Sequence, residues 1–188
     1  MRCVKARLAP CLALGLALGP SGCGDDSAPD PLDPELIREL SLARGEASGD
    51  THTGQWLLAF QVDSCDCPNV EIDANPVNLC AVATFAGQGY TAGLIESGGV
   101  FAIPSGPEAT FGVLTGAIEA DGSFDVASRH NASTVLGPLE SLARMDGAAT
   151  DDSMEGWAGQ RLIGEIAGTT LDCRWMGSFV GTRLSPPY

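Results

Sequence analysis

The sequence predicts an all-β fold: a small antiparallel up-and-down β-barrel of about eight strands behind a short amphipathic helix, with a β-sandwich as the alternative. Three observations carry that expectation. From Gly54 onward, short segments place apolar residues at every second position, the repeat of a strand with one buried face. Turn signals separate these segments: GQG at 87–89, ESGG at 96–99, Asp121-Gly122, and AGTT at 167–170. Glycines also fall inside the strand segments, at Gly112, Gly116, Gly164, Gly177 and Gly181, where a barrel needs sharp bends.

The chain opens with a different chemistry. Arg2, Lys5 and Arg7 form a basic start, and residues 8–18, LAPCLALGLAL, are apolar and uncharged. Small residues follow, then Cys23. This order is that of a secretory signal, and the apolar run falls well short of the roughly 20 residues that span a bilayer as a helix. The expected organisation is a signal over 1–22, a flexible acidic tether over 23–32, a helix over 33–45 and the barrel over 46–188.

Ser21-Gly22-Cys23 after this apolar region resembles the lipobox of bacterial lipoproteins, with Pro20 where the box usually carries an aliphatic residue. The resemblance implies cleavage before Cys23, acylation of that cysteine with palmitate-type chains, and a lipid-anchored place in the bacterial cell envelope, facing the periplasm or the exterior. The membrane would then be a partner through the N-terminal acyl chains. Cysteine counting agrees. Of the seven cysteines, cleavage removes Cys3 and Cys11 and acylation consumes Cys23. Cys65, Cys67, Cys80 and Cys173 remain, an even number in an oxidising compartment.

Asp33-Pro34-Glu35 reads as a helix start, with Asp as N-cap, Pro at the first helical position and Glu at the positive dipole end. Leu36, Ile37, Leu40 and Ala43 form an apolar stripe, Arg44 falls in the last turn, and Gly45 supplies the stop. The helix either packs on the domain or docks a partner. Strand one, GQWLLAFQV, puts Trp56, Leu58, Phe60 and Val62 on one side; NLCAVATF aligns Leu79, Ala81, Ala83 and Phe85. YTAGLIE, GVFAI, TFGVLTGAIE, SFDVASR, RLIGEIA and TLDCRWMGSFVGTR supply the remaining strands. The stretch 132–159 is less regular, and Pro138 to Met145 suggests a helical turn with Leu139 and Leu142 on one side.

Gly54-Gln55-Trp56 opens the first strand and Arg183 closes the last. This pairing resembles lipocalins, avidins and their relatives, in which a Gly-x-Trp on strand one meets a basic residue near the final strand. The resemblance implies that Arg183 packs over Trp56 and plugs one end of a barrel by a cation–π contact. The span from Gly54 to Arg183 is nearer an avidin-like barrel than a full lipocalin.

Cys65 and Cys67 lie too close in sequence to bridge to each other without strain, so each should reach one of Cys80 and Cys173. The expected pairing is Cys67–Cys80, a short loop closure, with Cys65–Cys173 tying strand one to the last strand. A zinc site of these cysteines with His52 would need reduced thiols, which export opposes.

Charge excludes whole classes of partner. The chain carries 24 acidic and 10 basic residues, net −14. The first 22 residues hold three of the basic ones and no acid, leaving 7 against 24, net −17, and no lysine. Such a surface repels nucleic-acid phosphates and anionic headgroups. Catalytic signals are sparse. Only His52 and His130 occur. IESGGV around Ser97 faintly echoes the Gly-Asp-Ser-Gly-Gly of trypsin-like proteases, with Asp63 or Asp73 between it and His52, but the chain is too short for that family's paired barrels. Glu119, Asp121 and Asp125 lack calcium-loop spacing and read as flanking a turn.

The sequence therefore points to a non-enzymatic protein without cofactor or metal. Two functions fit. One is a barrel that holds a small apolar ligand, with Trp56, Phe60, Phe111, Trp157, Trp175 and Phe179 as candidate lining. The other is a structural or interaction protein, bound to another envelope component, whose barrel is filled by its own side chains. An empty apolar volume of roughly 300 Å³ or more would favour the ligand.

Overall fold

The computed structural model describes residues 29–72, 74–82, 89–105, 112–134, 137–166 and 168–185. Residues 1–28, with the expected signal, Cys23 and most of the expected tether, lie outside the described residues, as do Asp73, Ala83, Phe85 and Phe111.

The chain forms a closed, eight-stranded antiparallel barrel behind one short helix. Helix α1 spans Pro34–Leu42, and Asp33 caps it by accepting hydrogen bonds from the N–H groups of Glu35 and Leu36. Its end differs from the expectation: Ala43 is the C-cap in an extended conformation, and the last turn carries no basic residue. Gly45 instead donates from its N–H to the Gly99 carbonyl, so it serves a backbone crossing against the barrel rather than a helix stop. Strand β1 covers Gly54–Asp66, β2 Asn69–Ile72, β3 Asn75–Asn78, and a short helix α2 Leu79–Val82. Then follow β4 (Gly89–Ser97), β5 (Val100–Pro104), β6 (Val113–Ile118), β7 (Ser123–Thr134), β8 (Gly137–Ala149), β9 (Ser153–Ile166) and β10 (Thr169–Ser185). Around the barrel the order is β1-β10-β9-β8-β7-β6-β5-β4, and β4 closes on β1.

Turn chemistry sets the register at what we call the upper end, where β1 begins. Gly98 and Gly99 both have φ > 0, at 57° and 76°, and join β4 to β5 through a two-residue turn. In the β6–β7 turn, Gly122 takes φ 85° and the Asp121 carboxylate accepts from the N–H and hydroxyl of Ser123. Inside, Trp56, Leu58, Phe101, Phe124 and Phe179 pack with Leu94, Ile103, Leu114, Ile118 and Met145 into one core. Gly177 is required by close approach, because a Cβ there would overlap the Gln61 carbonyl where the β1–β10 register shifts.

Strand length is uneven, and this shapes the lower end. β1 and β7 through β10 run 12 to 17 residues, against 9, 5 and 6 for β4, β5 and β6. The long strands project past the short ones. The β2–β3 hairpin and α2 cover the inner faces so exposed: Val70, Ile72, Val77 and Leu79 pack with Leu139, Leu162, Ile166, Leu171, Cys173 and Trp175.

Three further expectations about the fold are corrected. Residues 79–82 of NLCAVATF do not run as a strand, and 83–85 lie outside the described residues: Asn78 accepts hydrogen bonds from the N–H groups of Cys80 and Ala81 and so starts α2. Pro138 to Met145 is not helical but part of β8, and 137–166 contains two of the longest strands. The alternation there was masked because both faces are covered. Helix α1 lies over the outer face, where Leu32 and Ile37 pack on Ala127, Leu142, Trp157 and Ile163. Leu142 on that outer face is fully buried, while its inward neighbour Ser141 is polar. The disulfides exchange partners relative to the expectation: they are Cys65–Cys80 and Cys67–Cys173. Cys67 lies one step past the end of β1, beside β10, whereas Cys65 faces the hairpin that leads to α2.

Candidate functional site

The upper end is a closed plug. Trp56 is fully buried, and its Nε1–H donates to the His52 carbonyl at 2.9 Å. The Arg183 guanidinium lies 5.7 Å from the Trp56 ring centroid. It is fixed there by three donations: to the carbonyls of Thr53 at 2.6 Å, Asp151 at 2.8 Å and Ser185 at 3.3 Å. The cation therefore closes the barrel mouth over an indole while tying the β8–β9 turn, the approach to β1 and the end of β10 together.

Beside the plug sits a pair that the sequence did not announce. The Glu96 carboxylate, on β4, accepts from the His52 N–H and meets His52 Nδ1, both at 2.8 Å. Both residues are more than nine-tenths buried, and Thr53 Oγ1 accepts from the Glu96 N–H. The pair clamps the segment before β1 to the end of β4. A wide acidic hollow surrounds it, lined by Glu46, Glu119, Asp121, Asp151 and Asp152. Ser97 adjoins Glu96, but Asp63 lies at the far end of β1 and Asp73 lies outside the described residues, so the protease-like order brings no triad together among the described residues. Arg161 and Arg144 are engaged on the outer wall. Arg161 forms a two-pronged bridge to Asp172 at 2.7 Å on each prong, and Arg144 one to Asp125 at 2.9 and 2.8 Å. The bridge holds the Asp172 carboxyl below its ordinary titration range. Partial burial raises Asp146 instead.

Between the upper core and the lower cluster lies a cavity of about 50 Å³. Phe60, Tyr90, Leu114, Ala143, Gln160 and Trp175 contribute to its lining. Phe60 stacks on Tyr90 with ring centroids 5.7 Å apart, and tilts against Phe179 at 6.1 Å. Gln160 Nε2 donates to Ser141 Oγ at 2.9 Å, so the wall carries a buried polar pair. Such a space holds a few water molecules, each needing about 10–15 Å³ of this kind of volume.

The candidate lining residues therefore separate. Phe60 and Trp175 line the cavity, and Phe179 lies in the upper core beside it. Trp56 belongs to the plug. Trp157 is corrected: it lies on the outer face beneath α1, next to Arg144, and its ring lies across Gly159. Phe111 lies outside the described residues. At the lower end the sulfurs of Cys65, Cys67 and Cys80 cluster within 4.8 Å, the one such group of possible metal-ligand atoms among the described residues. All three are consumed by disulfides, and His52 stands at the opposite end of β1.

No protein-family model matches this chain, and no curated protein matches it.

Proposed function

We propose that this chain is a lipid-anchored bacterial envelope protein, attached through Cys23, whose filled barrel acts as a non-enzymatic structural or interaction module. The observation that carries the second half is the cavity. About 50 Å³ is far below the roughly 300 Å³ at which pockets for small apolar ligands begin. Phe101, Phe124 and Phe179 occupy the volume a carrier would leave open, in mutual aromatic contact at 5.1 and 6.2 Å. The runner-up, a carrier of a small apolar ligand, draws on the aromatic wall of Phe60, Tyr90 and Trp175 and would require that wall to move apart.

The anchor reading has support in the sequence order of the first 23 residues and in how the tether lands. Asp30 accepts from Arg174 at 2.8 Å and lies 3.7 Å from Arg161, so the chain is pinned to the outside of β9 and β10 seven residues after Cys23. Seven extended residues reach at most about 25 Å. An acylated Cys23 would hold that side of the barrel near the bilayer, and several acyl chains suffice for stable attachment. Fractionation of the producing cells tests this. Cys23→Ala should move the protein from the membrane to the soluble fraction; a variant that stays on the membrane shows that Cys23 is not the anchor.

A further inference from the structure

We infer that the outer face formed by β10, β1, β4 and β5 is a self-association surface, on which a second copy of this chain docks face to face. This deepens the interaction reading and rests on it. The first observation is charge. Outward positions on these strands alternate with the core residues, from Ser178 to Leu184 on β10, Gln55 to Gln61 on β1, Gly89 to Ile95 on β4 and Val100 to Pro104 on β5. None is Asp, Glu, Lys or Arg, in a chain of net charge −14. The second is exposure. Leu57, Ile95, Val180 and Leu184 are 42%, 59%, 56% and 55% exposed, and they account for four of the six large exposed hydrophobic residues named among those described. Leu57 sits opposite Thr182 on one side and Thr91 on the other, which draws these residues into one patch across β10, β1 and β4.

The third observation is shape. Gly89 and Gly93 both point outward on β4 and leave it low. The Leu57 Cδ1 atom lies where a Gly89 side chain would crowd it at 3.3 Å, and Gln55 Nε2 lies 3.2 Å from the Cβ that Gly93 lacks. The side chains of β1 lie down over β4 and flatten the curved barrel wall. Helix α1 occupies the opposite side, packed on β6, β7 and β8.

Charge selects the occupant. Every other side carries carboxylates: Glu35 and Glu39 on the helix, Glu119, Asp121, Asp151 and Asp152 above, Asp66 and Glu71 below. Two copies meeting through those sides set like charge against like charge, which costs several kcal/mol in an interface. The uncharged face is the side through which copies can touch without that repulsion, and a two-fold axis makes it its own complement. Four strands about 4.8 Å apart and seven residues rising about 3.3 Å each give roughly 450 Å² per copy. That is below the roughly 800 Å² per partner of a stable interface, so the contact is weak and suits copies already confined to one surface.

The test is thiol cross-linking of the whole protein in the cells that export it. Thr182→Cys on the face should give a cross-linked species of twice the chain mass, at least about tenfold more than Glu39→Cys on the helix. Val180→Asp added to Thr182→Cys should remove it by setting a carboxylate into each copy's contact. Because Val180 is solvent-exposed, an unchanged unfolding midpoint will certify that the variant folds. Equal yields at the two cysteines overturn the inference, and so does a face-specific product whose mass is that of a different protein. Fractionation of the same cells separates the two readings: a soluble protein that still cross-links through Thr182→Cys overturns the anchor and keeps the face.

Discussion

Replacing Trp56 probes the plug most sharply. The indole is fully buried at the first turn of β1, within the core that contains Leu58, Phe101 and Phe179. Trp56→Ala removes that packing and leaves a hole, which for a buried aromatic costs about 3–5 kcal/mol. It also strands the His52 carbonyl, which loses its 2.9 Å hydrogen bond, adding about 1 kcal/mol or more. The Arg183 guanidinium keeps its three carbonyls but loses the ring beneath it, for about another 0.5–1 kcal/mol. The expected total, about 4.5–7 kcal/mol, is comparable to the whole stability of many domains, so this variant should be largely unfolded. Trp56→Phe keeps a ring and most of the volume and loses chiefly the N–H donor, for an expected 1–2 kcal/mol or about that. Chemical unfolding in urea, followed by circular dichroism and fitted with a common slope, reads both. If Trp56→Ala costs less than about 1 kcal/mol, the indole does not hold this end of the barrel and the plug is wrongly assigned.

Two further outcomes follow from the same structure. Removing the Cys67–Cys173 bridge by replacing both cysteines with Ala should cost about 4–5 kcal/mol in the loop-entropy model, more than the roughly 3 kcal/mol of Cys65–Cys80, because it closes 106 residues rather than 15. Peptide mapping without reduction checks the pairing itself, and a Cys65–Cys173 peptide would contradict it. Asp172→Asn should lower stability at neutral pH by under about 1 kcal/mol, since the carboxylate is half exposed. The folded carboxyl titrates below its unfolded value near 3.9, so the bridge's contribution is complete above that value and is lost as pH falls through the folded one. The two thermal midpoints should therefore converge below pH about 4; a gap that persists there would exclude the Arg161 bridge as its source.

The barrel was legible in the sequence because most strands have one covered face. Trp56, Leu58 and Phe60 alternate with exposed or half-exposed neighbours on β1, and the β10 segment alternates over nearly its full length. The signal failed where the outer face is also buried. On β8 and the first half of β9, α1 covers Leu142 and Trp157, so apolar residues occur on both sides and period two is lost. The same cause misplaced Trp157 in the interior. The hairpin of β2 and β3 is four residues per strand, too short for periodicity to show, and its hold on the lower end depends on bridges whose pairing no spacing rule decides. The His52–Glu96 clamp joins residues 44 apart, and only closure of β4 on β1 brings them together. Arg183 over Trp56 spans a longer separation still, and was approached through the resemblance of Gly54-Gln55-Trp56 rather than through any local pattern.

The most direct measurement is native mass spectrometry of the full protein as its own cells produce it, purified in mild detergent and compared with the same sample denatured. A filled barrel predicts the same mass in both for the single chain, with the polypeptide short by four hydrogens for the two disulfides; the proposed anchor further predicts that this mass is that of the chain from Cys23 with acyl groups. A discrete additional mass present only in the native spectrum would contradict the filled barrel, and would place a ligand against the wall of Phe60, Tyr90 and Trp175.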